Sequence, residues 1–504
     1  MAFAVLAGVS VLYTTPYGTG SGFDQATYIG AARNLLSGQG LSIPWGVDAG
    51  KSLTQFPPLF PVTLAAIGAA GVDPWQGARY VNAFLRIVDV LLAAAIALRI
   101  QPGILVAPLV TAFVLCCSVH MVFVFGSAWS EPLFLALALS SLYLLARFLE
   151  SGSLRLLGAC AVVMAAATLT RYVGLALVAT GCIILLWRGR GPLAVRAPIA
   201  GGFGAIALLP LGLWFVRNAV VAGSIAGART MGWHSLPTTQ LTAGMFTLLD
   251  WIVPSAIASR FVTPQGEISA AGAGLVVAAI LMGVFLALGH GRLLLVASPL
   301  SFVLLIFMVV YTVCVLASML LFDDLTQLDS RILSPVYVCL AVLLGAYGGR
   351  ALTDSWRSRR ALRPALATVV ALFVTAFGIR FGVLVHRLHT EGVMYSNLDW
   401  LTSPTMSGLS RLPGDATVFS NAPDAIYLLA NRSVLEIPHE ADTDSFLDQL
   451  QVALHDRAAP VVLVYFDDPN IAYREPVPPA VIANALSVHQ LTAYPDGAMY
   501  EVSR

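Results

Sequence analysis

The chain of 504 residues is 58% hydrophobic and 11% charged, with a mean hydropathy of +0.81, where an ordinary soluble domain carries about 25% charged residues. Such a composition belongs to an integral membrane protein. A net charge of +1 sets aside a polyanionic partner such as nucleic acid, and the six cysteines (Cys116, Cys117, Cys160, Cys182, Cys314, Cys339) sit in apolar runs without a CxxC or a nearby histidine. They suggest neither a disulfide framework nor a zinc site.

In chain order, the run from Met1 to about Leu12 has no basic flank and is shorter than the roughly 20 residues that cross hydrocarbon. It reads as neither a signal peptide nor a complete span, which suggests a truncated or misplaced start within a first transmembrane helix. A polar interruption follows from Gly22 to Pro61. It carries Asp24, then a Gly-punctuated loop with the only lysine, Lys51, then a Pro-Pro return to apolar sequence. Asp24 reads as the N-cap of a helix from Gln25 to about Leu36 closed by Gly38, with Tyr28, Ile29, Ala32 and Leu36 forming an apolar stripe suited to the membrane interface. A carboxylate held at a helix start is also rigidly aimed.

Apolar spans are expected at about 77–99, 103–120, 131–149, 156–170, 172–187, 197–219, 270–289, 294–320, 332–349 and 364–384, about eleven with the N-terminal segment. Alternate loops collect Arg99, Arg147, Arg155, Arg188, Arg190, Arg196, Arg292 and the cluster from Arg350 to Arg363. The positive-inside rule puts those loops in the cytoplasm. The opposite set (16–76, 120–130, 220–269, 321–331 and everything after about 385) then faces the periplasm or exterior, and is too long for mere connectors. The last 115 or so residues alternate β-like runs (Thr417–Ser420, Val434–Ile437, Val461–Phe466, Met499–Val502) with helical stretches (Ala425–Ala430, Ser445–Ala453, Ala480–Leu486). That pattern predicts a small α/β domain outside the membrane, residues 385–504, after a transmembrane domain of residues 1–384. Asp467 and Asp468 end the apolar strand in what reads as a solvated loop.

Several polar groups stand out against the apolar background. Ser130-Glu131-Pro132 opens a span: the acid suits the helix dipole and the proline the first turn, while a second acid at the face that holds Asp24 also invites acid/base chemistry. Arg79, Asn82, Arg86 and Asp89 are spaced by 3, 4 and 3 along one helix face, lining a cavity or forming a buried Arg86–Asp89 pair. Arg171, Arg217 and Arg331 fall near outer helix ends. Arg217 suits the C-terminal dipole, but Arg331 is placed in the first turn of a span, where a cation is disfavoured unless it answers an anion, Asp329 being adjacent. Asp323 and Asp324 read either as a divalent-cation site or as a solvated turn. No cofactor motif is present: there is no P-loop, HExxH or DxD.

The run FDQATYIGAARNLLSGQGLS, followed in order by FPPLFPVTL, SEPLF, LTRYVGL, WFVRNAVVAGS and RILSPVYV, resembles the GT-C membrane glycosyltransferases of the ArnT and protein O-mannosyltransferase type, over about residues 10–350. The resemblance implies a multi-pass helical membrane enzyme that takes a sugar from a polyprenyl-phosphate donor and places it, with inversion, on an acceptor hydroxyl of a glycan, lipid or protein at the outer face. It implies that Asp24 is the catalytic acid of the first outer loop, with Gln25 where some members carry a second acid, and that Glu131 is the acid opening a later span. It also implies that Lys51 and Arg331, with Arg171 and Arg217, hold the donor phosphate, and that the stripe from Arg79 and Tyr28 faces the same cavity. Two other classes fit the composition. A secondary transporter or flippase would gather its polar residues at the midplane on broken helices, and a membrane-anchored binding protein would work through its α/β domain.

Overall fold

The computed structural model describes residues 1–46, 49–225, 227, 232–235, 238–252, 259–262, 268–269, 271–272, 274, 298–322, 326–455, 459–469, 471 and 474–504. They form two compact units, one made of Met1–Tyr13, Thr54–Phe60 and Tyr80–His386, the other of Thr14–Leu53, Pro61–Arg79 and Arg387–Arg504.

The first unit is helical. Its helices are α1 (Ala2–Thr14), most of α4 (Pro74–Ile100), α5 (Val106–Cys117), α6 (Val119–Gly126), α7 (Glu131–Ser151), α8 (Leu154–Thr170), α9 (Leu175–Arg188), α10 (Leu193–Ala222), α11 (Thr238–Ile252), α12 (Pro299–Leu321), α13 (Ser334–Ser358) and most of α14 (Arg363–Glu391). Six of these, α4, α7, α10, α12, α13 and α14, are long and apolar enough to cross a membrane, and the pair α5 and α6, bent by 59°, makes a seventh if it is one span. Among the described residues the expected count of about eleven is therefore not reached on length. The segments at 1–12, 156–170 and 172–187 are apolar helices of at most 17 residues, and the one expected at 270–289 lies outside the described residues except for 271–272 and 274. Along α14, Val369, Leu372, Ile379 and Val383 are all more than half exposed, an apolar surface suited to lipid.

Small residues let α5 and α13 approach closely. A Cβ at Gly345 would come within 3.0 Å of the Thr111 backbone nitrogen, and one at Gly349 within 2.7 Å of the Ala107 Cα. This GxxxG spacing is a membrane packing motif, in which close backbone contact replaces a hydrophobic driving force that lipid cannot supply.

The second unit holds a five-stranded sheet in the order β2-β1-β3-β5-β4: β1 (Thr417–Ser420), β2 (Leu435–Glu436), β3 (Val461–Phe466), β4 (Ser487–Tyr494) and β5 (Gly497–Ser503). The β2-β1-β3 portion is parallel and β3-β5-β4 antiparallel. Helices α15 (Pro423–Ala430) and α16 (Thr443–His455) accompany it, and Phe419, Phe446, Leu450, Leu463 and Ile482 are fully buried in its core. Strand β4 escaped the sequence reading because it is exposed along nearly its whole length and so has no alternation to betray it. Asp424, fully buried, accepts both Arg474 Nη atoms at 2.9 Å and the Tyr395 hydroxyl at 2.9 Å.

Candidate active site

Asp24 lies in the second unit, on α2 (Phe23–Leu36), but not as its cap. The helix starts one residue before it, Gly22 is the N-cap in extended conformation, and the Gln25 side-chain carbonyl reaches back to accept the Gly22 N–H at 3.0 Å. Gln25 thus does the capping, and Asp24 sits half-buried in the first turn, where the dipole favours an anion. The stripe on α2 does not lie on a lipid surface either: Tyr28, Ile29 and Ala32 are buried, α2 packs on α15, and a Cβ at Gly30 would collide with Pro44 and Tyr427. Arg33 pins the helix through two bonds to Asp73, at 2.9 and 3.0 Å. Lys51 is exposed on a loop closed by hydrogen bonds from Ile43 N–H to the Lys51 carbonyl (2.8 Å) and from Leu53 N–H to the Leu41 carbonyl (2.8 Å). Gly46 and Gly50 take φ of 76° and 80° there, which glycine alone adopts without strain.

The first unit brings three of the expected residues together. Glu131 is the first residue of α7, 2% exposed, with Pro132 in the opening turn. Its Oε1 accepts Arg331 Nε at 2.6 Å and forms an ion pair with Arg171 Nη1 at 2.5 Å. Arg171 reaches it because α8 ends there: its extended backbone breaks the helix before a single 3-10 turn, Tyr172–Gly174, and its Nη1 also donates to Ser130 Oγ at 3.1 Å. Arg331 does not open a span. It sits in the turn ahead of α13, where Asp329 Oδ1 accepts the Ile332 N–H at 2.8 Å. The Arg331 guanidinium lies 5.0 Å from the centre of the Trp129 ring, a cation–π arrangement. Both arginines remain partly exposed, at 15% and 22%. Guanidinium forks of this kind match the geometry of phosphate. Arg217, in the same unit, stacks on Trp214 at 4.7 Å and donates to Asn218 Oδ1 at 3.1 Å.

The α4 stripe has another use than a buried ion pair. Among the described residues Arg86 makes no pair with Asp89. Its Nη2 donates to the Cys116 carbonyl at 3.0 Å and its Nη1 to Ser10 Oγ at 2.9 Å, while Asn82 Nδ2 donates to the carbonyls of Phe125 (3.0 Å) and Ser127 (2.7 Å). Cys116 and Phe125 lie in the last turns of α5 and α6, where carbonyls have no partner within the helix. Arg86 and Asn82 thus cap the two halves of a broken span, and the Asp89 carboxylate is buried without a hydrogen bond among the described residues. Arg79 is half-buried in the second unit. Asp323 and Asp324 lie outside the described residues, and no group of three metal-ligating side chains occurs among those described.

The sequence reading passed over His120, Asp250, Ser330 and Arg380. The first two and the last were visible as isolated ionisable groups in apolar runs; the serine carries no such mark.

The chain shares its fold with the solved membrane proteins ArnT and an archaeal oligosaccharyltransferase. Neither a protein-family model nor a curated protein matches the sequence, so the likeness rests on three-dimensional structure. ArnT from Cupriavidus metallidurans in the apo state is similar with a TM-score of 0.56 at 14% identity, over 99% of this chain and 97% of that one. The same protein bound to undecaprenyl phosphate gives 0.51 at 15% identity over the same shares. The archaeal oligosaccharyltransferase AglB from Archaeoglobus fulgidus, in complex with an inhibitory peptide and a dolichol-phosphate, gives 0.56 at 12% identity over 100% of this chain and 74% of that one.

Proposed function

We propose that the protein is an inverting glycosyltransferase that moves a sugar from a polyprenyl-phosphate donor to an acceptor hydroxyl on an envelope glycan, lipid or protein at the outer face of the cytoplasmic membrane, with residues 385–504 on that side. The observation that carries this reading is the buried Glu131 carboxylate holding two partly exposed guanidiniums, in a chain whose structural neighbours include one solved with undecaprenyl phosphate. In the proposed step Asp24 takes the proton of the acceptor hydroxyl and the freed oxygen attacks the anomeric carbon. The bond from that carbon to the donor phosphate breaks, and the phosphate leaves with the electron pair. A lipid phosphate departs readily without a general acid, so the protein has to supply a base and cations. Arg331 and Arg171, with Lys51, hold the phosphate. Glu131 orients the two guanidiniums instead of moving a proton.

The test compares lipid-linked sugars and envelope glycans with and without the protein, then with Asp24→Asn. The variant is expected to accumulate to wild-type abundance and to lose transfer. Full transfer by Asp24→Asn would overturn the assignment of the base.

A further inference from the structure

Arg331 owes its place to a turn tethered on several sides. The Ile332 carbonyl accepts the Tyr311 hydroxyl at 2.7 Å, Asp329 Oδ1 accepts the Ile332 N–H at 2.8 Å, and Ser330 Oγ lies 2.9 Å from His120 Nδ1. His120 comes from elsewhere in the chain. It is the second residue of α6, just past the bend after α5, and its Nε2 is 3.5 Å from Asp250 Oδ2 on α11. Asp250 in turn faces Arg380 of α14 at 3.7 Å. The chain Arg380, Asp250, His120, Ser330 thus ends at the residue next to Arg331, and it is well enclosed: His120 is 11% exposed and Asp250 14%.

The Asp250 carboxylate, 3.5 Å from Nε2, favours the tautomer with the ring proton on Nε2. In that tautomer Nδ1 is an acceptor. The Ser330 hydroxyl then donates to Nδ1. The Tyr337 ring lies edge-on to the imidazole at 5.9 Å between centroids and to the Trp251 indole at 5.0 Å, which limits rotation of His120. None of these groups reaches the Glu131 cluster. Their effect passes through the backbone of the turn.

We propose that His120, oriented by Asp250 and Arg380, is a positioning residue: through Ser330 it sets the direction in which Arg331 presents its guanidinium to the donor phosphate. The proposal rests on the reading of Arg331 as a phosphate ligand. Without the Ser330 tether the turn keeps its other two hydrogen bonds and the fold, but Arg331 loses one of the restraints that aim it.

The test uses the purified full-length protein in lipid nanodiscs, with polyprenyl phosphate as the probe for direct binding and steady-state transfer as the kinetic readout. Arg331→Ala is expected to abolish most of the binding. Ser330→Ala and His120→Ala are expected to weaken it by about five- to tenfold, the value of one hydrogen bond, and to raise the donor KM by the same factor with kcat and the acceptor KM unchanged. His120→Asn, whose carbonyl oxygen can stand where Nδ1 accepts, is expected to recover binding to within about twofold of wild type. Loss of binding in Arg331→Ala together with wild-type affinity in Ser330→Ala would overturn the positioning role and leave the phosphate role of Arg331 intact. Wild-type affinity in Arg331→Ala would overturn both. Ser330→Ala removes a single oxygen, so it decides the matter even if His120→Ala fails to accumulate.

Discussion

Replacing Glu131 with glutamine separates two jobs a buried acid can do. In wild type a single oxygen, Oε1, accepts the Arg331 Nε proton at 2.6 Å and pairs with Arg171 Nη1 at 2.5 Å. Glutamine keeps a carbonyl oxygen there but not the charge. A hydrogen bond to a charged group contributes about 1.5–3 kcal/mol against about 0.5–1.5 for a neutral one, so the bond to Arg331 loses about 1–2 kcal/mol and the lost ion pair with Arg171 adds to it. Arg171 and Arg331 are 15% and 22% exposed and recover part of this from water, which leaves about 1–2 kcal/mol, or roughly 5- to 30-fold in donor affinity. The assay is steady-state transfer with donor and acceptor varied separately. If Glu131 only orients the arginines, donor KM rises by that factor and kcat falls less than tenfold. Loss of a general base costs about 10²–10⁴-fold in rate. A fall in kcat of a hundredfold or more at unchanged donor KM would therefore make Glu131 the base and refute the orienting role.

Two further substitutions test other parts of the molecule. Arg474→Met leaves the fully buried Asp424 with the Tyr395 hydroxyl but without its cation, and should cost about 3–5 kcal/mol, read as a lower thermal unfolding midpoint of the full-length protein; adding Asp424→Leu should restore most of the loss, and an unshifted single variant would show that the pair is not structural. Burial holds the Asp329 carboxyl above the ordinary carboxylate range, although the Ile332 N–H pulls it down. An acid with a raised folded pKa destabilises the fold as the pH climbs from its unfolded value through its folded one, so Asp329→Asn, which keeps an oxygen for that N–H, should be at least as stable as wild type at pH 7, with the difference vanishing in acid. Lower stability of the variant at pH 7 would contradict this.

The helical architecture was legible because its signal is local. Apolar runs at 77–99, 131–149, 197–219 and 332–349 became α4, α7, α10 and α13, with ends shifted by a few residues except at α13, which runs on to Ser358, since lipid demands continuous apolar sequence. The polar residues were legible as exceptions but not in their partners. Spacing put Arg86 and Asp89 on one face, yet spacing cannot reveal that α5 would break at Ser118 and present a bare carbonyl to Arg86. In the same way, nothing local pointed to Glu131 as an anion that answers Arg331, because Glu131 lies 200 positions away in sequence. Asp24 and Gly22 are both acceptable caps, and the choice turned on the reach of Gln25. The α2 stripe looked fit for a lipid surface because its covering partner, α15, comes some 400 residues later in the chain.

The capping of α5 and α6 by a neighbour also bears on how the protein is made. A break within an apolar segment strands helix-end carbonyls at the moment it forms, and the ribosome delivers N-terminal segments first. Here Asn82 and Arg86 are in place before the segment that needs them emerges, so the bend enters the bilayer beside a ready partner. Moving the same two side chains to a later helix would preserve every final bond and still leave the nascent bend exposed while it waited.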